Sequence, residues 1–158
     1  MVIERGVRIT VWWMLKELST VSLIGIMAYT TVRYPYESSA LPLSQRVAVA
    51  IVLFGGTIHL WSSALLKSRV KNLVRPENLL TDRGLYRFVR HPMYFGQSIV
   101  MTGFLCYSHN VAAYLVYGVG LAAVLMQAHF EDRYLAVSFG KTHAAWAWRT
   151  RLVIPYMY

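Results

Sequence analysis

Residues 47–66 read VAVAIVLFGGTIHLWSSALL, twenty consecutive positions without Asp, Glu, Lys or Arg. A helix rises about 1.5 Å per residue and bilayer hydrocarbon is about 30 Å thick, so a run of this length spells a membrane span. Outward from it, residues 91–130 hold forty positions with no formal charge, enough for two spans. Their one polar cluster is Ser108-His109-Asn110, residue types that favour turns. The pattern predicts a helical hairpin with arms over about 93–107 and 111–130, the first arm short enough to be tilted or partly buried in protein. Toward the N-terminus, Leu18 to Val32 is uncharged, preceded by Lys16-Glu17 and closed by Arg33. Two readings stay open there: a helix from about Val11 with Lys16 snorkelling to the interface, or Ile9 to Glu17 lying flat on the membrane. Ser38-Ser39-Ala40 has the small residues of a signal-peptide cleavage site, but Trp12-Trp13 and the long charged lead favour a retained span.

The expected fold is therefore all-α, a multi-pass transmembrane helical bundle in one membrane domain over residues 1–158, with spans at about 11–32, 47–66, 93–107 and 111–130. Composition agrees: 56% of the 158 residues are hydrophobic and only 15% charged, which excludes a disordered chain. Cys106 is the single cysteine, which excludes a disulfide scaffold. A net charge of +9 can attract nucleic acid, but in so apolar a chain the membrane surface is the better partner, and no nucleic acid is expected. Four spans put both termini on one side. The loop over residues 67–90 holds seven Lys or Arg, and with the N-terminal stretch and the tail over 131–158 that side collects 14 of the 16 basic residues. By the positive-inside rule both termini and the central loop are cytoplasmic, in the plasma or inner membrane of a bacterium or the endoplasmic reticulum of a eukaryote.

Three stretches on that side carry residues suited to chemistry. They are Leu79-Leu80-Thr81-Asp82-Arg83-Gly84-Leu85-Tyr86, then Arg90-His91-Pro92-Met93-Tyr94-Phe95-Gly96, then Glu131-Asp132-Arg133-Tyr134-Leu135 followed by Phe139-Gly140. An antiparallel hairpin sets the second beside the third, so Arg90 and His91 face Glu131 and Asp132. Pro92 suits the first turn of a helix, where its missing N–H costs nothing. The free N–H groups of that turn attract an anion, and the carboxylates opposite attract a cation, so a zwitterion suits the pair. An interfacial salt bridge between Arg90 and Glu131 fits the same residues. Composition and spacing end at a polar cytoplasmic pocket, without a reaction and without a metal-ligand pattern.

The literal residues go further. Arg90-His91-Pro92-Met93-Tyr94-Phe95-Gly96 resembles the RHPxYxG signature of the isoprenylcysteine carboxyl methyltransferase and phospholipid methyltransferase group of membrane enzymes. Leu79 to Tyr86 resembles the group's L-V-T-x-G-x-Y lead-in, one residue longer between Thr81 and Gly84. Glu131-Asp132-x-x-Leu135-x-x-x-Phe139-Gly140 resembles its E-E-x-x-L-x-x-x-F-G, with Asp in the second acidic place. His143 and Trp146 stand where tyrosines are usual, and Leu152-Val153-Ile154-Pro155 resembles the closing L-I-P. The likeness covers residues 79–155 in order.

The resemblance implies a methyltransferase that uses S-adenosylmethionine, releases S-adenosylhomocysteine and holds its cofactor on the cytoplasmic side of the last two spans. Carried over, the cofactor-binding positions are Leu79, Leu80, Tyr86, His91, Pro92, Met93 and Tyr94, with Glu131 for the methionyl ammonium and Arg90 for the carboxylate. Gln127 stands where eukaryotic prenylcysteine enzymes carry an arginine for the substrate carboxylate, which makes it the candidate substrate-binding residue. The acceptor expected is lipophilic: an isoprenylcysteine-like carboxylate, or another lipid or thiol. No catalytic residue is assigned. Two other classes compete, a nicotinamide-dependent enzyme like the sterol reductases, which share a similar hairpin motif, and a non-enzymatic membrane scaffold. His59 is expected to hydrogen-bond between helices, and Gly55-Gly56, Gly118 and Gly120 to let helices pack closely.

Overall fold

The computed structural model describes residues 2–33, 42–70, 84–108 and 110–154. These form five helices: α1 (Val2–Arg33), α2 (Leu43–Val70), α3 (Pro92–Ser108), α4 (Val111–Phe139) and α5 (Lys141–Arg149). A 3-10 turn over Gly84–Arg87 precedes α3. Among the described residues the one β feature is an isolated parallel bridge between Val89 and Arg151. The chain is a helical membrane bundle, as its apolar runs require.

Three helices are long and apolar enough to cross a bilayer, over Val11–Arg33, Leu43–Leu66 and Val111–Phe139. Leu53, Phe54, Leu60 and Leu115 project outward from two of them, a display that suits hydrocarbon rather than water. The expected third span is α3, whose 17 residues extend only about 25 Å. It survives as a short helix because it is packed inside the others, with Tyr94, Gly96, Gln97, Met101, Gly103 and Phe104 buried.

Two expectations are corrected. α1 is one continuous helix from Val2, and Lys16 does not snorkel: it lies buried on the same face as Ser19 and Leu23. α4 does not stop at Phe130 but runs nine residues further, to Phe139. Nothing between Glu131 and Phe139 breaks a helix. Gly140 does, at φ +49°, its N–H bonding back to the Ala136 carbonyl at 3.0 Å. The turn between the hairpin arms is built by Asn110, whose Oδ1 accepts the Ala113 N–H at 2.9 Å and caps α4.

Helices α2 and α3 cross at facing glycines. A Cβ placed on Gly55 would sit 2.7 Å from the Gly96 carbonyl oxygen, and one on Gly96 would sit 2.6 Å from the His59 backbone nitrogen. Only glycine permits that approach. His59 closes the same seam, Nδ1 lying 3.0 Å from the Met93 carbonyl oxygen, the interhelical bond expected of it. Gly120 packs against Ser19 on α1, whereas Gly56 and Gly118 face open space, contrary to expectation. α1 lies along α4, and the core between them gathers Leu23, Met101, Val124 and Ala128.

Candidate functional site

The two ends of the hairpin that carry charge meet, as antiparallel packing demands. Pro92 opens α3, and the Tyr94 and Phe95 N–H groups bond the His91 carbonyl at 3.1 and 3.2 Å. The residues after α5 strap this start in place. Arg90 N–H donates to Arg151 O at 2.7 Å, His91 N–H to Leu152 O at 3.0 Å, and Arg151 N–H to Phe88 O at 2.9 Å. The Arg90 side chain locks the strap, its Nη1 donating to Ala147 O at 3.1 Å and Thr150 O at 2.9 Å. Those are carbonyls at the C-terminal end of α5, where helical N–H partners run out; Ala147 O otherwise accepts the Thr150 N–H at 3.4 Å.

The two acids divide their work. Asp132 Oδ1 is 2.8 Å from Arg90 Nε and 3.0 Å from His143 Nε2. The interfacial ion pair thus forms with Asp132, not with Glu131. Glu131 Oε1 accepts two short hydrogen bonds, from Tyr94 OH and Gln127 Nε2, each 2.6 Å. Its Oε2 lies 3.8 Å from His91 Nδ1, beyond hydrogen-bond reach. Among the described residues one carboxylate oxygen is therefore fixed and the other has no hydrogen bond.

Neutral aromatic groups surround that carboxylate. Burial pushes the His91 imidazole down to about 4, outweighing the nearby charges of Glu131 and Asp132, so the ring is neutral near pH 7. Burial, helped by the Glu131 charge, pushes the Tyr86 phenol up to about 12. Tyr86 OH donates to the Ser62 carbonyl of α2 at 3.3 Å. The His91 ring stacks on Tyr94 with centroids 5.6 Å apart.

A cavity of about 370 Å³ opens between these groups, within the range of small-molecule sites. Of the residues named from sequence, Tyr86, Arg90, His91, Met93, Tyr94 and Glu131 line it. Pro92 is fully buried at the helix start, and Gln127 is buried behind Glu131, reaching the cavity only through that carboxylate. Leu79 and Leu80 lie outside the described residues. Sequence reasoning missed Leu66, Tyr134, Leu135 and Trp146 as lining residues. Tyr134 and Leu135 stand three and four positions after Glu131, so a helix continued past Phe130 would have put all three on one face. Trp146 arrives on α5, and no spacing rule joins it to the hairpin.

A sequence profile of the phospholipid methyltransferase family matches residues 43–142, 100 of the 158. The chain belongs to the phospholipid methyltransferase family. It is a methyltransferase of the membrane, and membership favours methyl transfer over the nicotinamide-dependent and non-enzymatic readings. The match covers α2, the RHP turn, the hairpin and the acidic pair, and leaves α1 outside. Comparison with curated proteins and with solved structures gives no match.

Members of such a family imply a methyl donor, and the residues present fit S-adenosylmethionine. Its methionyl end carries an ammonium, and Glu131 has an oxygen without a hydrogen bond among the described residues. Two residues that line the cavity, His91 and Trp146, each carry a buried ring nitrogen, Nε2 and Nε1, without a hydrogen-bond partner among the described residues. Buried polar atoms are rarely left so, and both are suited to the polar groups of a ligand. The aromatic side chains Tyr86, Tyr134 and Trp146 line the cavity, residue types suited to a flat base or a cationic sulfonium.

Proposed function

We propose that the protein transfers a methyl group from S-adenosylmethionine to a lipid-borne acceptor at the cytoplasmic face of the membrane. The observation that carries the reading is Glu131, a lining residue of the cavity whose Oε1 is pinned by Tyr94 and Gln127 and whose Oε2 has no hydrogen bond among the described residues. A carboxylate held this way recognises an ammonium without first having to order itself. Bound there, the cofactor would supply an activated methyl on sulfur for in-line displacement by the acceptor atom, leaving a neutral thioether.

The chain's own part is to bind, align and keep water out. Glu131 holds the ammonium, Tyr94 and Gln127 hold Glu131, and the His91 and Trp146 nitrogens meet remaining polar groups. Alignment of the reactants contributes about 7–11 kcal/mol in well-oriented cases, so a displacement of this kind asks little more of the protein. A carboxylate or thiolate acceptor needs no base. His91, held neutral by burial, serves as a hydrogen-bonding group and is a weak base for any amine.

The test is Glu131→Gln, which keeps size and removes charge. A charged hydrogen bond contributes about 1.5–3 kcal/mol, so affinity for S-adenosylmethionine by isothermal titration should fall roughly 10- to 150-fold. Unchanged affinity in a folded Glu131→Gln protein would remove Glu131 from the site.

A further inference from the structure

We infer that Lys16 of α1 is a positioning residue for Glu131, the carboxylate proposed to hold the cofactor's ammonium, acting through Tyr94. The inference rests on the proposed role of Glu131 and adds a residue from the one long helix that the family match leaves out.

Lys16 lies five residues into the apolar span that starts at Val11, about 7.5 Å along the helix, and is 4% exposed. A charge buried in a membrane helix is costly unless partners compensate it. Its partners are specific. Nζ lies 2.7 Å from Glu17 Oε1 and donates to Gln97 Oε1 at 3.2 Å. It also stands over the Tyr94 ring, 5.0 Å from the centroid, where the negative face of an aromatic attracts a cation. The Gln97 amide is held in the matching orientation because its Nε2 donates to Thr20 Oγ1 at 3.1 Å, and that hydroxyl donates to the Lys16 carbonyl at 3.0 Å. Lysine, glutamine and threonine thus close a loop that fixes where the ammonium sits.

The other edge of Tyr94 belongs to the site. Its ring stacks on His91 and its hydroxyl donates to Glu131 Oε1 at 2.6 Å. Tyr94 is gripped on one side by a cation of α1 and on another by an imidazole of the RHP turn, and it delivers that restraint to the carboxylate. A lysine needed only to neutralise Glu17 would require none of this, because Glu17 is 43% exposed and can be solvated alone. The ammonium meets Gln97 and Tyr94 as well as Glu17.

The experiment is a double-mutant cycle on cofactor affinity, by isothermal titration with S-adenosylmethionine on full-length protein in detergent. The variants are Lys16→Met, Tyr94→Phe and the pair. A cation–π contact contributes about 0.5–2 kcal/mol, so Lys16→Met should weaken binding roughly 2- to 30-fold, and Lys16→Arg should restore most of it. In the Lys16→Met background, Tyr94→Phe should cost clearly less than in the wild type, because the hydroxyl is no longer held in place. Simple multiplication of the two effects, or wild-type affinity in folded Lys16→Met, overturns the inference. If Lys16→Met does not fold, Lys16→Gln carries the same comparison. Failure of the wild-type chain itself to bind the cofactor overturns the functional reading and this inference together, whereas binding by the wild type with additive variants overturns this inference alone.

Discussion

At the scale of single residues, the neutral imidazole of His91 has a consequence for pH. Burial lowers its pKa to about 4 in the folded chain, against an ordinary value of about 6.5 when unfolded. Between those values the unfolded chain binds the proton and the folded chain does not. Stability therefore rises with pH across about 4 to 6.5 and is lost as the solution is acidified through that window. Thermal melting in detergent should show a lower midpoint at pH 5 than at pH 7, and His91→Asn should flatten that dependence relative to wild type. An equal slope in both proteins would mean that other groups set the acid response. Much at this scale was legible in the sequence. Arg90, His91, Glu131 and Asp132 were expected to face one another and do. Which acid takes the arginine was not legible, because Asp132 wins Arg90 through a geometry that depends on α5, where His143 approaches the same oxygen.

Among the elements, the crossing of α2 and α3 is the feature on which the site's footing depends. Gly96 lies one turn after the RHP stretch, and Gly55 opposes it across the seam. A methyl group added at Gly96 would meet the His59 backbone nitrogen at 2.6 Å, so the helices must part. Gly96→Ala should destabilise the bundle by about 1–3 kcal/mol, seen as a lower melting midpoint. Gly56→Ala, one residue from the seam and facing open space, should be neutral or gain up to about 1 kcal/mol from better helix propensity. Equal effects from the two substitutions would show that the crossing tolerates separation. The sequence marks both Gly55 and Gly56 as packing residues, and of the two Gly55 touches α3. Charge-free runs reveal that helices exist and roughly where they end. Their rotation about the axis is set by partners distant in sequence, and a nearly uniform apolar surface carries little signal for it. The same blindness hid Lys16. Beside Glu17 at the head of an apolar run it reads as an interfacial charge, and its other partners, Gln97 and Tyr94, come from a helix about eighty residues away.

For the whole molecule, the position of the cavity governs how an acceptor reaches it. The apolar span of α2 ends at Leu66, and Leu66 is one wall of the cavity. Glu131 and Arg90 are others, so apolar and charged residues meet at the cavity. A water-soluble cofactor can arrive from the aqueous side, whereas an acceptor dissolved in the bilayer can slide in between helices without crossing water. If so, most of its binding energy comes from its tail. Each buried methylene contributes about 0.8 kcal/mol, equivalent to roughly a three- to fourfold change in affinity. Across a homologous series of acceptors with one reactive head, presented in mixed micelles at constant mole fraction, KM should fall steeply with chain length while kcat changes little. The split between the two constants matters, because the head meets the same aligned methyl whatever tail follows it. Short hydrophilic thiols, amines or acids methylated as efficiently as long-chain ones would contradict lateral approach, and would make the bundle a mere anchor for chemistry conducted from the water side.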